Sequence, residues 1–377
     1  MISLARYCRF LLAYNLAVIV WGAYVRASGS GAGCGSHWPS CNGEVVPPRP
    51  STATLIEYSH RVSSGLVLVL VAVLVVWAFM AVPKGHPLRR GAVLSLVFTL
   101  SEAAVGAGLV LFKLVAHDES LARALVISTH LLNTLLLLAA LTLAAYAAGA
   151  FRVGAGAGSS AAGALSSAAS DESSGAASDA SSGAAARAAS YGAAGALLPG
   201  VDGRIASGST AAATSTGGPK RRPMPGWSLA LGLAATMAIA ATGAVSALGD
   251  TLFPASSLSG GLAQDLSSAS HLLLRLRTIH PLLAIALGAY LLHLCKQVSA
   301  AGPEARRWAN RLRLLVVVQW TLGLLNIALL APVWLQLTHL LIADLLWIAL
   351  VVMTLEALAP QTVLEKVPPL MPAPARS

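Results

Sequence analysis

Long apolar runs separated by short polar ones fill most of the chain. Eight of them, near residues 10–27, 59–82, 91–112, 122–148, 227–248, 272–295, 312–330 and 333–356, are long enough to cross a hydrocarbon core of about 30 Å. A lipid-exposed segment must satisfy its backbone hydrogen bonds internally, so these runs predict helices. The first follows Arg6 and Arg9 and precedes the small residues Ala27, Ser28 and Gly29, as a cleaved signal peptide would. Its length, with Tyr24 and Arg26 near the end, predicts a retained helix instead.

Between residues 150 and 222 the pattern collapses into Ala, Gly and Ser with scattered charges, as in GAGAGSSAAGALSSAASDESSG. Such a segment can bury no core and reads as a flexible linker. The flanking halves look duplicated: THLL at 129–132 recurs at 338–341, WGAYVRASGSG at 21–31 echoes ATGAVSALGD at 241–250, and Glu102 with Gly106 parallels Gln319 with Gly323. The expected architecture is an all-α integral membrane protein of two tandem four-helix bundles, 1–149 and 223–358, with the linker at 150–222 and a tail at 359–377. Four-helix units start and end on one side, so the copies would be related by a pseudo-two-fold axis along the membrane normal.

Composition agrees, with 56% apolar and only 11% charged residues in 377. Placing the N-terminus in the cytoplasm also puts there Arg6, Arg9, Lys84, Arg89, Arg90, the linker's Lys220 to Arg222, Lys296, Arg306, Arg307, Arg311, Arg313 and the tail. The net charge of +10 is therefore a topology signal, and a nucleic-acid partner is excluded for want of a folded basic face.

Against this background four histidines stand out, in EYSHR (His60), STHLL (His130), RTIHP (His280) and LTHLL (His339), each at the outer end of an apolar run. An unsatisfied polar group at membrane depth costs several kcal/mol, so each must be paired or ligating. They fall on the second and fourth helices of each half, which suggests facing pairs, His60 with His130 and His280 with His339. Two imidazoles across a dry bundle suit axial ligation of haem. Zinc would want three or four clustered ligands, and a histidine that only bonds a neighbouring helix explains one position better than four.

Outward arginines near these histidines, Arg61, Arg123, Arg275 and Arg277, are candidate partners for haem propionates, with lipid headgroups as the alternative. Glu57, one turn before His60, is either a proton-handling group or a charge complementing the helix N-terminus. Cys34 and Cys41 in the first outer loop are expected to form a disulfide, whereas Cys8 and Cys295 have no evident role. Glu102 and Asp344 are carboxylates inside the spans and hence functional candidates, with a protonated interhelical hydrogen bonder as the alternative for Glu102.

Taken together, GSGAGCGSHWPSCNG, IEYSHR, GDTLFPA, RTIHP and NIALLAPVWLQLTHLLIADLLW resemble haem A synthase over nearly the whole membrane region. The long linker departs from that compact pattern. The resemblance implies a bacterial inner-membrane oxidoreductase for terminal oxidase assembly. It would oxidise the C8 methyl of haem O to a formyl by two successive hydroxylations. It also implies that His60 and His130 flank substrate haem O, that His280 and His339 ligate a haem b cofactor, and that Glu57 is the important acid. Cys34 and Cys41 match an outer-loop pair found in part of the family. The implied partners are haem O, a haem O synthase and membrane lipid, with a second copy of the chain as a further candidate. Bis-histidine ligation saturates the iron, so either a histidine dissociates to admit oxygen, or water supplies the oxygen atom while Glu57 takes protons or stabilises a developing cation. The rival readings are a dihaem b-type electron-transfer protein and a transporter with a histidine proton relay.

Overall fold

A computed structural model describes residues 3–151, 226–267 and 271–359. The linker expected at 150–222 and the tail expected at 359–377 lie almost wholly outside the described residues.

The first half forms α1 (Leu4–Ala27), α2 (Thr52–Ala81), α3 (Pro87–Leu111) and α4 (Leu121–Ala147). The second forms α5 (Gly226–Leu252), two short helices α6 (Leu258–Leu266) and α7 (Leu272–Arg277), then α8 (Ile279–Val298), α9 (Pro303–Ala328) and α10 (Val333–Leu358). Eight spans are long and apolar enough to cross a membrane, the sixth running from Leu273 to Val298. Among the described residues no strand forms beyond an isolated bridge between Cys41 and Glu44.

Polar residues fix where the helices begin. Ser51 accepts a hydrogen bond from Thr54 N–H (3.2 Å) and Ser120 from Arg123 N–H (3.2 Å), satisfying amides that have no partner within the helix. Because Ser51 caps it, α2 starts at Thr52 rather than near 59, which brings Glu57 inside the helix one turn before Arg61. The sixth span breaks at Thr278 because Pro281 has no N–H for the Arg277 carbonyl and its ring crowds it.

In each half four helices contact one another in a closed sequence: α1–α2–α3–α4 and back to α1, then α5–α8–α9–α10 and back to α5. Helix α4 packs on α5 and α10, and α1 on α10, so one continuous core runs from Leu11 and Leu138 to Leu312 and Leu350. Trp347 Nε1–H donates to Leu135 O (2.7 Å) across this junction. The opposite face of α2 exposes Val69, Val73, Val76 and Met80, a surface suited to hydrocarbon rather than water.

Local geometry repeats between halves. Leu114 N–H reaches back to Leu109 O (2.8 Å) after α3, and Ala331 N–H to Asn326 O (2.7 Å) after α9. Lys113 and Leu330 sit just before these closures with φ of 56° and 58°.

Candidate functional site

The four histidines line one cavity of about 1680 Å³ whose walls are mostly apolar. A pocket for one drug-sized ligand is roughly 300–1,000 Å³, so this space exceeds what a single such ligand needs. His60 and His130 lie within electrostatic range of each other, and so do His280 and His339. The Nδ1 atoms of His60, His130 and His339 are buried and accept or donate no hydrogen bond. Four imidazoles on an apolar cavity, three of them with a buried Nδ1 that makes no hydrogen bond within the protein, are a donor set that fits haem iron and a porphyrin face. Among the described residues no three His, Cys, Asp or Glu side chains gather as a zinc site would require.

A glycine lies against each imidazole, more tightly at His60 and His280 than at His130 and His339. A Cβ added at Gly22 would fall 2.7 Å from His60 Cε1, and one at Gly243 would fall 3.0 Å from His280 Cε1. The corresponding distances are 3.8 Å from Gly106 to His130 and 3.5 Å from Gly323 to His339. Three of the rings also have a polar neighbour on an adjoining helix. Thr242 Oγ1 is 3.0 Å from His280 Nδ1, Gln319 Nε2 is 3.0 Å from His339 Nε2, and Glu102 Oε1 is 3.2 Å from His130 Nδ1. The last contact is within ion-pairing range without the alignment of a hydrogen bond.

Glu57 is buried, and both carboxylate oxygens are engaged: Oε1 accepts from Arg61 Nη2 (2.5 Å) and Oε2 from Cys34 N–H (2.8 Å). Arg61 in turn donates through Nη1 to His37 O (2.6 Å) and Ser40 O (2.7 Å). Both residues therefore grip the loop closed by the Cys34–Cys41 disulfide, whose Trp38 and Pro39 border the cavity. Gly33 lets this loop lie backbone to backbone on α2, since a Cβ there would meet the Ala53 carbonyl at 2.4 Å.

The remaining arginines divide. Arg277 lines the cavity but is paired with Asp250 (2.8 Å) and Asp265 (2.5 Å), while Arg275 is exposed and lies away from the cavity. Arg123 is buried, with Nη1 donating to Ala116 O (2.6 Å) and Asp118 O (2.8 Å). Arg26, read from sequence only as a residue unsuited to a cleavage site, joins the halves: Nη1 donates to Ala247 O (2.7 Å) and Thr251 Oγ1 (2.9 Å), and Nη2 to Gln336 Oε1 (3.4 Å). Asp344 lines the cavity deeper in, buried, with neither oxygen paired.

Residues 5–351 match the family model described as cytochrome oxidase assembly protein. The chain belongs to the haem A synthase family. It is 38% identical over 111 residues to the heme A synthase of an Exiguobacterium species, covering 29% of this chain and 37% of that protein. With the heme A synthase of Halalkalibacterium halodurans the identity is 41% over 95 residues, or 25% of this chain and 32% of that one. A longer match, 39% over 360 residues and 94% of this haem A synthase family member, is to the protoheme IX farnesyltransferase of Thermus thermophilus. The chain spans about half the length of that relative, 48% of it.

Proposed function

We propose that this protein oxidises the C8 methyl of haem O to a formyl by two successive hydroxylations, giving haem A. His60 and His130 flank the substrate in the first half, and His280 and His339 hold a haem b in the second. The observation that carries this reading is four imidazoles lining one apolar cavity, three of them with a buried Nδ1 that makes no hydrogen bond within the protein. When bound, haem b supplies a reversible one-electron couple. Each hydroxylation takes an electron pair and two protons from the methyl carbon and one water, the electrons leaving to an external electron acceptor, and the hydrated aldehyde then loses water. The chain's own residues bind, orient and exclude water: apolar walls receive the macrocycle, and the disulfide loop gripped by Glu57 and Arg61 borders it. Glu57 is the proposed acid beside the substrate.

The two halves relate by a pseudo-two-fold axis along the normal of a bacterial cell membrane, with both termini cytoplasmic. Basic residues clustered at the helix ends away from the disulfide loop support that orientation. The Thermus relative is named for farnesylation of protohaem IX and is about twice as long as the region it shares with this chain. This supports a haem O synthase as partner.

The test is chromatography of haem extracted from cells that make haem O and express the chain. A formyl haem absent from control cells is expected. Protohaem alone, bound to the purified protein, would favour a dihaem electron carrier, and a purified protein without a Soret band would favour a transporter.

A further inference from the structure

The sequence directs attention to Glu57 as the acid of the first half, yet Glu57 touches the loop and Arg61, not an imidazole. The carboxylate that does reach a histidine is Glu102, with Oε1 3.2 Å from His130 Nδ1. It sits in a polar cradle. Thr134 Oγ1–H donates to Oε1 (2.5 Å), Asn133 Nδ2–H donates to Oε2, and Ser101 Oγ–H donates to Asn133 Oδ1 (2.6 Å).

The duplicated half lacks every element of that cradle. Aligning Gly106 with Gly323 and His130 with His339 puts Val318, Gln319, Ile342 and Ala343 where Ser101, Glu102, Asn133 and Thr134 stand. Gln319 meets His339 with its amide nitrogen, and its oxygen is buried without a partner. One half thus places a carboxylate behind its histidine, and the other an amide.

We propose that Glu102 is a positioning residue for His130, accepting its Nδ1–H so that Nε2 is presented to the substrate iron. This rests on the reading that His130 ligates haem. A carboxylate behind a ligating histidine fixes its tautomer and ring orientation and makes it a stronger donor. Added electron density favours the ferric state, so the first-half haem has the lower midpoint potential of the two. The acceptor thereby makes the substrate site the easier one to draw electrons from.

The experiment is an optical redox titration of the purified, haem-loaded protein. The first-half haem is identified as the spectral component lost in His60→Ala. Glu102→Gln should raise the midpoint potential of that component alone, Glu102→Asp should restore most of the shift, and Gln319→Glu should lower the other component. A purely structural Glu102 would change haem occupancy or thermal stability and leave potentials in place. Unchanged potentials in a haem-loaded Glu102→Gln protein overturn the proposal while leaving the haem reading intact. If that variant does not fold, Asn133→Leu, which removes one donor to Glu102, and Gln319→Glu decide, and unshifted potentials in both overturn it. A wild-type protein that binds no haem overturns the functional reading, and this proposal with it.

Discussion

The His60 ring rests on Gly22 so closely that a single methyl group there would come within 2.7 Å of Cε1, and Gly243 repeats the arrangement under His280 at 3.0 Å. The His60 ring must shift if Gly22 gains a side chain, and the His280 ring must give by a few tenths of an ångström if Gly243 does. Gly22→Ala should push His60 off its rotamer at a cost of roughly 1–3 kcal/mol and lower the haem content of the first site. Gly243→Ala should do the same to the second. Gly106→Ala and Gly323→Ala, which would make ordinary contacts at 3.8 and 3.5 Å, should bind haem normally. Quantifying haem per chain in the four variants checks this, and equal losses in all four would contradict it.

Arg26 ties α1 to α5 and α10 through three acceptors. Arg26→Ala leaves those acceptors without their charged donor and should lower stability by about 1–3 kcal/mol, with the junction between halves loosening first. Arg26→Lys should recover only part, because an ammonium lacks the planar fork that reaches all three. Thermal unfolding in detergent measures both, and an unchanged midpoint in Arg26→Ala would contradict the role.

Glu57 couples the loop to α2 through Cys34 N–H and Arg61. Glu57→Gln should keep haem b, stall haem O oxidation, and also speed reduction of the Cys34–Cys41 bond as the loop lifts. Unaltered haem A output together with unaltered reduction kinetics would leave Glu57 without either role.

Cys34→Ser opens a loop closed over a sequence separation of seven. Chain entropy alone assigns such a closure about 2–3 kcal/mol, so the variant should unfold at lower temperature. Haem bound in the second half, remote from this loop along the chain, should remain.

Much of the fold was legible because hydropathy and helix length are local properties. Eight apolar runs became eight candidate spans, and capping by Ser51 explains one boundary difference, the earlier start of α2. The kink at Thr278 was implicit in Pro281. Side-chain partnerships were less legible because they depend on tertiary distance. Arg61, read as a propionate partner, lines the cavity and also holds loop carbonyls, Arg277 lines it while paired with Asp250 and Asp265, and Arg275 is exposed, partnerships that hydropathy does not encode. The parallel between Glu102 and Gln319 was visible in the duplicated halves, but Arg26 standing opposite Ala247 was not read as a signal.

The most direct test of paired histidine ligation is electron paramagnetic resonance of the purified, oxidised, haem-loaded protein, wild type and with each of the four histidines changed to alanine. Two low-spin bis-imidazole signals are expected, one lost in both His60→Ala and His130→Ala, the other in both His280→Ala and His339→Ala. A wild-type protein without such signals, or losses that pair the histidines differently, would contradict it.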